Sequence, residues 1–321
     1  MVLAPFFGNK TAAAPLIWQM LDTRSNSYVE PFCGLAGVLF HRPHKPGGAS
    51  EVIGDKDGTI CNTLRAIRTE PEALAAALDT PLHECDIQAQ AIRLQEARRD
   101  ETLLGLLRAD PEYHDLRLAE YWLRVHCSTI AGSAVSGSWI AMYNPVTKRK
   151  EPAKTKDQTR GIGFSKPSIS GLKGVLNLDT DRRVAYLQAH ARRLDRVYIT
   201  TGDWQRTLYQ SAAENSGQAI FLDPPYSKTV QRDTTNCYVS HDSDISLEVE
   251  QWCLEHSNAQ ARIVLAGYKD EHDRLLDYGW RKYDSVASGT GYSRGEMRST
   301  TGWEKLWVSP SCPAIHDNTL F

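Results

Sequence analysis

Short apolar runs alternate with amphipathic stretches along most of the chain, and this alternation predicts an α/β core. A strand is expected where about four to eight apolar or β-branched residues run together. Such runs lie at residues 26–32, 51–54, 196–201, 219–222, 262–266, 280–286 and 303–308. Helices are expected where apolar residues recur at helical spacing, at residues 58–67, 182–194, 204–215 and 243–256.

A region with a different composition and a helical periodicity separates the two halves of this alternating pattern. Residues 70–110 are rich in Ala, Leu, Glu and Arg, and residues 113–126 carry apolar side chains at helical spacing. We therefore predict a helical insertion in the sheet. The predicted boundaries are a discontinuous α/β domain of residues 1–72 and 178–321, interrupted by an inserted region of residues 73–177.

The segment of residues 142–174 that follows is strongly basic. It holds eight lysines and arginines against two acidic residues, a net charge of +6, whereas the whole chain has a net charge of −2. This asymmetry favours a loop that contacts a phosphate backbone, although a solvated linker would have the same composition. The residues expected to bind nucleic acid are Lys148, Arg149, Lys150, Lys154, Lys156, Arg160 and Lys166.

Composition narrows the class of protein. Of the 321 residues, 41% are apolar and 24% are charged, which is typical of a globular chain. No apolar run is long enough for a membrane span, and no charged leader precedes an apolar stretch. The seven cysteines are scattered and contain no Cys-x-x-Cys pair. We therefore expect a cytoplasmic protein without a disulfide framework, a metal site or a membrane partner.

The segment Asp223-Pro224-Pro225-Tyr226 carries the clearest chemical signal. It follows the apolar run 219–222, and two prolines end a strand because neither can donate to the sheet ladder. Acceptors at Asp223 and at the Pro224 carbonyl would take both hydrogens of an exocyclic amine, while the ring of Tyr226 would stack on the base. The alternative is a turn in which Asp223 only caps a helix.

A second signal lies after the first predicted strand. Gly34 and Gly37 allow the backbone to approach a ligand closely, although Gly-x-x-Gly is weaker than a full dinucleotide fingerprint. Ahead of the first helix, Lys10 is placed to pair with a ligand carboxylate and Phe6 to cover a ring. A frayed amino-terminal segment with an exposed lysine is the alternative.

Acidic residues follow three of the predicted strands. Asp55 is placed to accept both hydroxyls of a ribose, with Asp57 as a competing candidate. Asp203 is placed to accept from an adenine amino group, with Trp204 beside it. Each acid alone is more typical of a helix cap, but three at successive strand ends favour a nucleoside-bearing cofactor.

In this order, the motifs resemble those of prokaryotic and phage DNA adenine-N6-methyltransferases. Phe7-Gly8-Asn9-Lys10 is similar to that family's Phe-Gly-Gly-Lys element, with Asn9 in place of a glycine. Glu30-Pro31-Phe32-x-Gly34-x-x-Gly37 resembles its first cofactor motif, and Asp223-Pro224-Pro225-Tyr226 its catalytic motif. The segments 161–164, 241–242 and 303–310 also look like those of phage-type members.

The resemblance implies a Rossmann-like methyltransferase sheet with an inserted target-recognition region. The implied reaction moves a methyl group from S-adenosylmethionine to N6 of an adenine flipped out of double-stranded DNA, in a bacterial or phage-infected cell, by a monomer or weak dimer. The implied catalytic residues are Asp223, Pro224, Pro225 and Tyr226. The cofactor-binding residues, some from the resemblance and some from the strand ends, are Phe6, Phe7, Gly8, Lys10, Glu30, Pro31, Phe32, Gly34, Gly37, Asp55, Asp203, Trp204 and Asp223.

Other functions stay open at this point. Cytosine N4 in DNA and adenine in RNA are also planar amines that this loop could serve. A non-catalytic DNA-binding protein with the same fold is the alternative from another class.

Overall fold

The structure is a computed structural model that describes residues 3–5, 8–43, 47–128, 142–144, 149–151, 174–209, 217–226, 245–256, 260–285 and 304–314. The chain divides into two compact units. The first comprises the described residues of Met1–Asn9 and Asp57–Asp195, and the second those of Lys10–Lys56, Arg196–Thr234 and Ser240–Phe321.

The described elements are named in chain order. The α-helices are α1 (Ala14–Leu21), α2 (Gly37–Phe40), α3 (Gly58–Thr69), α4 (Pro71–Ala77), α5 (Glu84–Ala97), α6 (Glu101–Ala109), α7 (Leu116–Ser128), α8 (Thr180–Leu194), α9 (Trp204–Tyr209) and α10 (Ile245–Glu255). The strands are β1 (Ser27–Glu30), β2 (Ser50–Asp55), β3 (Met142–Asn144), β4 (Arg149–Glu151), β5 (Val197–Thr201), β6 (Gln218–Leu222), β7 (Arg262–Tyr268), β8 (Arg281–Asp284) and β9 (Glu304–Val308). Short 3₁₀ turns occur at Gly174–Asn177 and Asp273–Tyr278.

The second unit is built on a seven-stranded mixed sheet in the order β5-β2-β1-β6-β7-β9-β8. Neighbours among β5, β2, β1, β6 and β7 pair in parallel, and β9 pairs antiparallel with both β7 and β8. The strand order therefore reverses between β1 and β6, as it does in doubly wound sheets. This confirms the predicted α/β class and is consistent with a Rossmann-like fold.

Both faces of the sheet are covered, and most residues of its central strands are buried. Every residue of β6 is buried. On one face, Val29, Ile220 and Ile263 join a core with residues of α9 and α10. On the other, the ring of Tyr28 lies 4.7 Å from that of Trp18 on α1. Side chains on a strand alternate between faces, so a near-continuous apolar run is what a sheet covered on both sides requires.

Pairing and proline, rather than apolar pattern, set the strand ends. The strand predicted at 26–32 ends at Glu30 because Pro31 cannot donate to the ladder. The strand predicted at 262–266 continues to Tyr268 because Tyr268 pairs with Glu304 of β9. The helix predicted at 204–215 is present as α9, and residues 210–215 lie outside the described part of the chain.

The first unit contains the predicted helical region as α4 to α7, and it also contains α3 and α8, which lie at the helices predicted over 58–67 and 182–194. Its interior is tied by the buried guanidinium of Arg65, which donates to the carbonyls of Leu107, Asp110 and Tyr113 at 2.9–3.1 Å. One carbonyl from the last turns of α6 and two from the α6–α7 connection thus satisfy a cation that would otherwise be costly to bury. The strands β3 and β4 form a short antiparallel pair within the predicted basic loop.

Within the described ranges, none of the helices combines the length and the apolar character that a membrane span requires.

Candidate functional site

The carboxyl ends of β1 and β6 lie side by side because the two strands are parallel neighbours. Their connections lead to opposite sides of the sheet where the strand order reverses. Such a switch point leaves a crevice in which doubly wound proteins bind ligands. The loop after β1 begins at Pro31 and the loop after β6 at Asp223, so topology brings the two strongest sequence motifs to the same edge.

A compact charged cluster forms at the end of β6, and all its members belong to the second unit. Lys10 Nζ lies 2.8 Å from Asp223 Oδ2 and 2.7 Å from Glu304 Oε1. The hydroxyl of Tyr226 donates to Glu304 Oε1 at 2.6 Å and accepts from Lys10 at 3.5 Å. We call Lys10, Asp223, Tyr226 and Glu304 the lysine cluster. One cation is shared by two carboxylates, so the cluster has a net charge of −1 when both are ionised.

Burial and mutual charge shift the titration of the cluster. Burial raises the pKa of Asp223 to about 6, with Lys10 opposing the shift and Glu304 adding to it. Burial would raise the pKa of Glu304, but the ammonium of Lys10 and three hydrogen-bond donors hold it below its usual range. The pKa of Lys10 is raised because its anionic neighbours outweigh burial. Lys10 and Glu304 are therefore ionised at neutral pH, and Asp223 titrates close to it.

The two carboxylates differ in how fully they are satisfied. Glu304 accepts from Lys10 and Tyr226 through Oε1 and from the Ser285 hydroxyl through Oε2, at 3.3 Å. Asp223 accepts from Lys10 through Oδ2, and its Oδ1 has no partner among the residues that the structure describes. That oxygen belongs to a side chain that is 15% exposed. Within the described residues, Asp223 therefore keeps one acceptor oxygen available to a ligand.

Tyr226 is held at both ends. Its hydroxyl is anchored by Glu304, and its ring centroid lies 6.0 Å from that of Tyr268 at the end of β7. Burial also raises the pKa of its phenol, which stays neutral and able to donate. The ring is thus fixed before any ligand arrives, which lowers the entropy cost of stacking on it.

The loop after β1 is joined to the end of β2. The backbone N–H of Gly34 donates to Asp55 Oδ2 at 3.0 Å, and that of Cys33 donates to the Gly54 carbonyl at 2.9 Å. Gly34 has φ +46° and Ala36 φ +53°, so the chain turns sharply through the left-handed region before α2 begins at Gly37. Asp55 therefore orients this turn, and its carboxylate lies at the same edge as the turn's backbone.

Two buried polar atoms lie beyond Asp55, one at the end of β5 and one at the start of α9. Thr201 is in register with Asp55 on β5, and Trp204 follows three residues later. Within the part of the chain described, Thr201 Oγ1 and Trp204 Nε1 have no hydrogen-bond partner. Leaving a buried donor or acceptor unsatisfied costs about 1–3 kcal/mol, and such atoms are rare unless a ligand or water completes them. The ring of Phe32, 6.1 Å from that of Trp204, stacks against it.

The remaining predicted acids have local structural roles. Asp203 Oδ1 accepts from the N–H of Gln205 at 3.0 Å, which is the cap interaction considered as the alternative. Asp57 caps α3 by accepting from Thr59 N at 2.9 Å and pairs with Arg98 at 2.6 Å. Glu30 is buried at the end of β1, where Oε2 accepts from the Tyr28 hydroxyl at 2.9 Å.

Several predicted residues lie outside the described part of the chain. These are Phe6, Phe7, Lys148, Lys154, Lys156, Arg160 and Lys166. Arg149 and Lys150 lie in β4. Gly8 is described and has φ +77°, a conformation that favours glycine.

Glu304 is the functional candidate that sequence reasoning missed. Glu304 is the first residue of β9, and it lies 78 residues from Tyr226 along the chain. Nothing beside it in sequence marks it as part of a site. The only sequence feature that could have indicated Glu304 is its position as a single acidic residue at the start of an apolar strand. Charged residues are also common at such positions because they discourage aggregation of strand edges.

Among the residues described, no group of three or more His, Cys, Asp and Glu side chains is arranged to hold a metal ion.

Comparison with protein-family models finds no matching family, and comparison with curated proteins finds no significant match.

Proposed function

We propose that this protein is an S-adenosylmethionine-dependent methyltransferase that acts on the N6 amine of adenine in double-stranded DNA. The observation that carries the proposal is Asp223 Oδ1, a carboxylate oxygen that has no partner among the described residues and lies beside an anchored aromatic ring where the strand order of the sheet reverses. The resemblance of the sequence motifs supplies the reaction class, and the sheet topology and the lysine cluster support it.

The chain's own groups suit an exocyclic amine. The lone pair of such an amine is delocalised into the base, so the nitrogen must be drawn toward a tetrahedral shape before it can attack. Asp223 Oδ1 is free to accept one N–H hydrogen, and the Pro224 carbonyl is the candidate acceptor for the second. Pro224 and Pro225 restrict the backbone of this corner, so its dipoles reorganise little during reaction. The ring of Tyr226 offers a face on which an extruded base would stack.

The second group of residues fits a nucleoside-bearing cofactor. Asp55 orients the glycine turn, and Thr201 Oγ1 and Trp204 Nε1 have no hydrogen-bond partner among the residues that the structure describes. When bound, S-adenosylmethionine would supply an electrophilic methyl group through its sulfonium. Lys10 lies 2.7–2.8 Å from two protein carboxylates, so in this proposal its main role is to balance their charge.

The net charge of the lysine cluster favours the proposed direction of transfer. Methyl transfer moves positive charge onto the amine nitrogen, and a preorganised negative charge beside that nitrogen stabilises the developing cation. Asp223, with a pKa of about 6, is mostly ionised at and above neutral pH and can then take the surplus proton.

The direct test combines binding and turnover. Calorimetric titration with S-adenosylmethionine should give saturable 1:1 binding, and radiolabelled methyl should enter plasmid DNA. Asp223→Ala should lose methyl transfer while the protein stays folded, and Asp284→Ala, which removes an exposed carboxylate on β8, should retain both cofactor binding and methyl transfer. Nucleoside digestion with mass spectrometry then identifies the methylated atom. N4-methylcytosine, or label in RNA alone, would replace the adenine assignment, and absence of cofactor binding would refute the enzyme class.

A further inference from the structure

Glu304 competes with Asp223 for the same ammonium group. Both carboxylates contact Lys10 Nζ, at 2.7 and 2.8 Å. The two contacting oxygens therefore lie no more than about 5.5 Å apart, where like charges still interact measurably even in water. A lysine with one carboxylate would neutralise it, whereas a lysine shared between two cannot neutralise both.

Glu304 also organises the groups around it. Its Oε1 accepts from Lys10 and from the Tyr226 hydroxyl, and its Oε2 accepts from Ser285. β9 is held in register with β7 by backbone pairing, with Glu304 opposite Tyr268. The carboxylate is thus fixed by the sheet itself, and through it the positions of the lysine and of the tyrosine ring are fixed.

We propose that Glu304 is a positioning residue for the Asp223 loop: it anchors the Tyr226 ring and shares the Lys10 ammonium with Asp223, so that the lysine cannot neutralise both carboxylates and a net negative charge remains beside a bound ligand. The catalytic meaning of this role rests on the proposed function. The electrostatic role does not, because it concerns only groups within the folded chain.

The charged and titratable groups that face Asp223 in the described structure are Lys10, Glu304 and Tyr226. Removing the charge of Glu304 leaves the full attraction of Lys10 on Asp223. The pKa of Asp223 should then fall from about 6 toward its ordinary value of 3.8. Glu304→Gln is the suitable change because the amide oxygen can still accept from Tyr226 and Lys10.

The first measurement does not require activity. Protein labelled with ¹³C at the aspartate carboxyl is titrated by NMR, and the resonance lost in Asp223→Asn identifies Asp223. The wild-type midpoint should lie near pH 6. In Glu304→Gln it should be lower by at least ~0.5 pH unit, the shift expected for one charge at this distance in high dielectric. Glu304→Asp, which keeps the charge, should retain a midpoint close to that of the wild type. An unchanged midpoint in Glu304→Gln would overturn the inference.

The second measurement separates this inference from the proposed function. If wild-type protein transfers methyl groups, the acidic limb of its kcat/KM profile should move to lower pH in Glu304→Gln, with cofactor affinity unchanged. An acidic limb that stays in place would contradict the positioning role even if activity fell. If wild-type protein transfers none, the proposed function fails while the NMR titration still decides the role of Glu304.

Discussion

Replacing Asp223 by asparagine should make the protein more stable and less active. Burial raises the pKa of Asp223 from 3.8 to about 6, so the folded state binds its proton more tightly than the unfolded state does. An acidic group whose pKa is higher in the folded state than in the unfolded state destabilises the fold when it is ionised. The penalty is absent below about pH 3.8, grows between the two pKa values, and is complete above about pH 6.

The size of the effect follows from the same two values. A difference of about 2 in pKa at 1.36 kcal/mol for each unit gives about 3 kcal/mol at pH 8, and linkage gives roughly half of that at pH 5. Asparagine mimics the neutral carboxyl in size and can still accept from Lys10. Asp223→Asn should therefore raise the free energy of unfolding by up to about 3 kcal/mol at pH 8 and by about half as much at pH 5.

Urea unfolding followed by tryptophan fluorescence at the two pH values measures this difference. Asp284→Asn is the matched control because Asp284 is exposed and pairs with Lys305 on the surface, and its unfolding free energy should change by less than ~0.5 kcal/mol. Methyl transfer by Asp223→Asn should fall at least ~100-fold, since a neutral acceptor replaces a charged one. Loss of stability at pH 8, or a gain that does not depend on pH, would refute the reasoning.

Three further predictions concern other parts of the second unit and the basic segment. Gly54→Ala places a methyl group against the hydroxyls of Thr200 and Thr207, so α9 must shift, and the free energy of unfolding measured by thermal unfolding should fall by about 1–3 kcal/mol. The control Gly105→Ala places its methyl group in open space on α6 and should be neutral or stabilising. Equal effects of the two substitutions would contradict this account. Tyr226→Ala should weaken binding of DNA carrying an unpaired target base by about 1–3 kcal/mol in a fluorescence titration. Tyr226→Phe keeps the ring and loses the hydrogen bond to Glu304, so its effect on binding should be smaller. Equal losses in the two variants would mean that the hydroxyl, rather than the ring, dominates binding. Changing Lys148, Arg149 and Lys150 together to glutamine should reduce the steepness with which the logarithm of the DNA-binding constant falls with the logarithm of salt concentration. The expected reduction is up to about 3, because each lost phosphate contact contributes roughly 0.9. An unaltered slope would mean that the segment is a linker and does not contact DNA.

The sequence located the individual parts of the site better than it described their interactions. The strand–diproline corner at Asp223 and the turn at Gly34 are local features, and the structure has each at the carboxyl end of its predicted strand. Lys10 was expected to meet a ligand carboxylate, and in the structure it meets two protein carboxylates. The local sequence places the positive charge of Lys10 in a loop, but which carboxylates it pairs with depends on chain segments that are far away in sequence.

The strand pattern by itself determined the α/β class and the order of the motifs, because apolar periodicity and proline act within a few residues of where they occur. Only the tertiary structure decided that β9 inserts antiparallel between β7 and β8 and so carries Glu304 to Lys10 and Tyr226. The physical reason is that sheet order follows from packing of whole elements, which no local window contains. The charge state of Asp223 follows in turn from that arrangement, since burial and two neighbours from distant parts of the chain set its pKa.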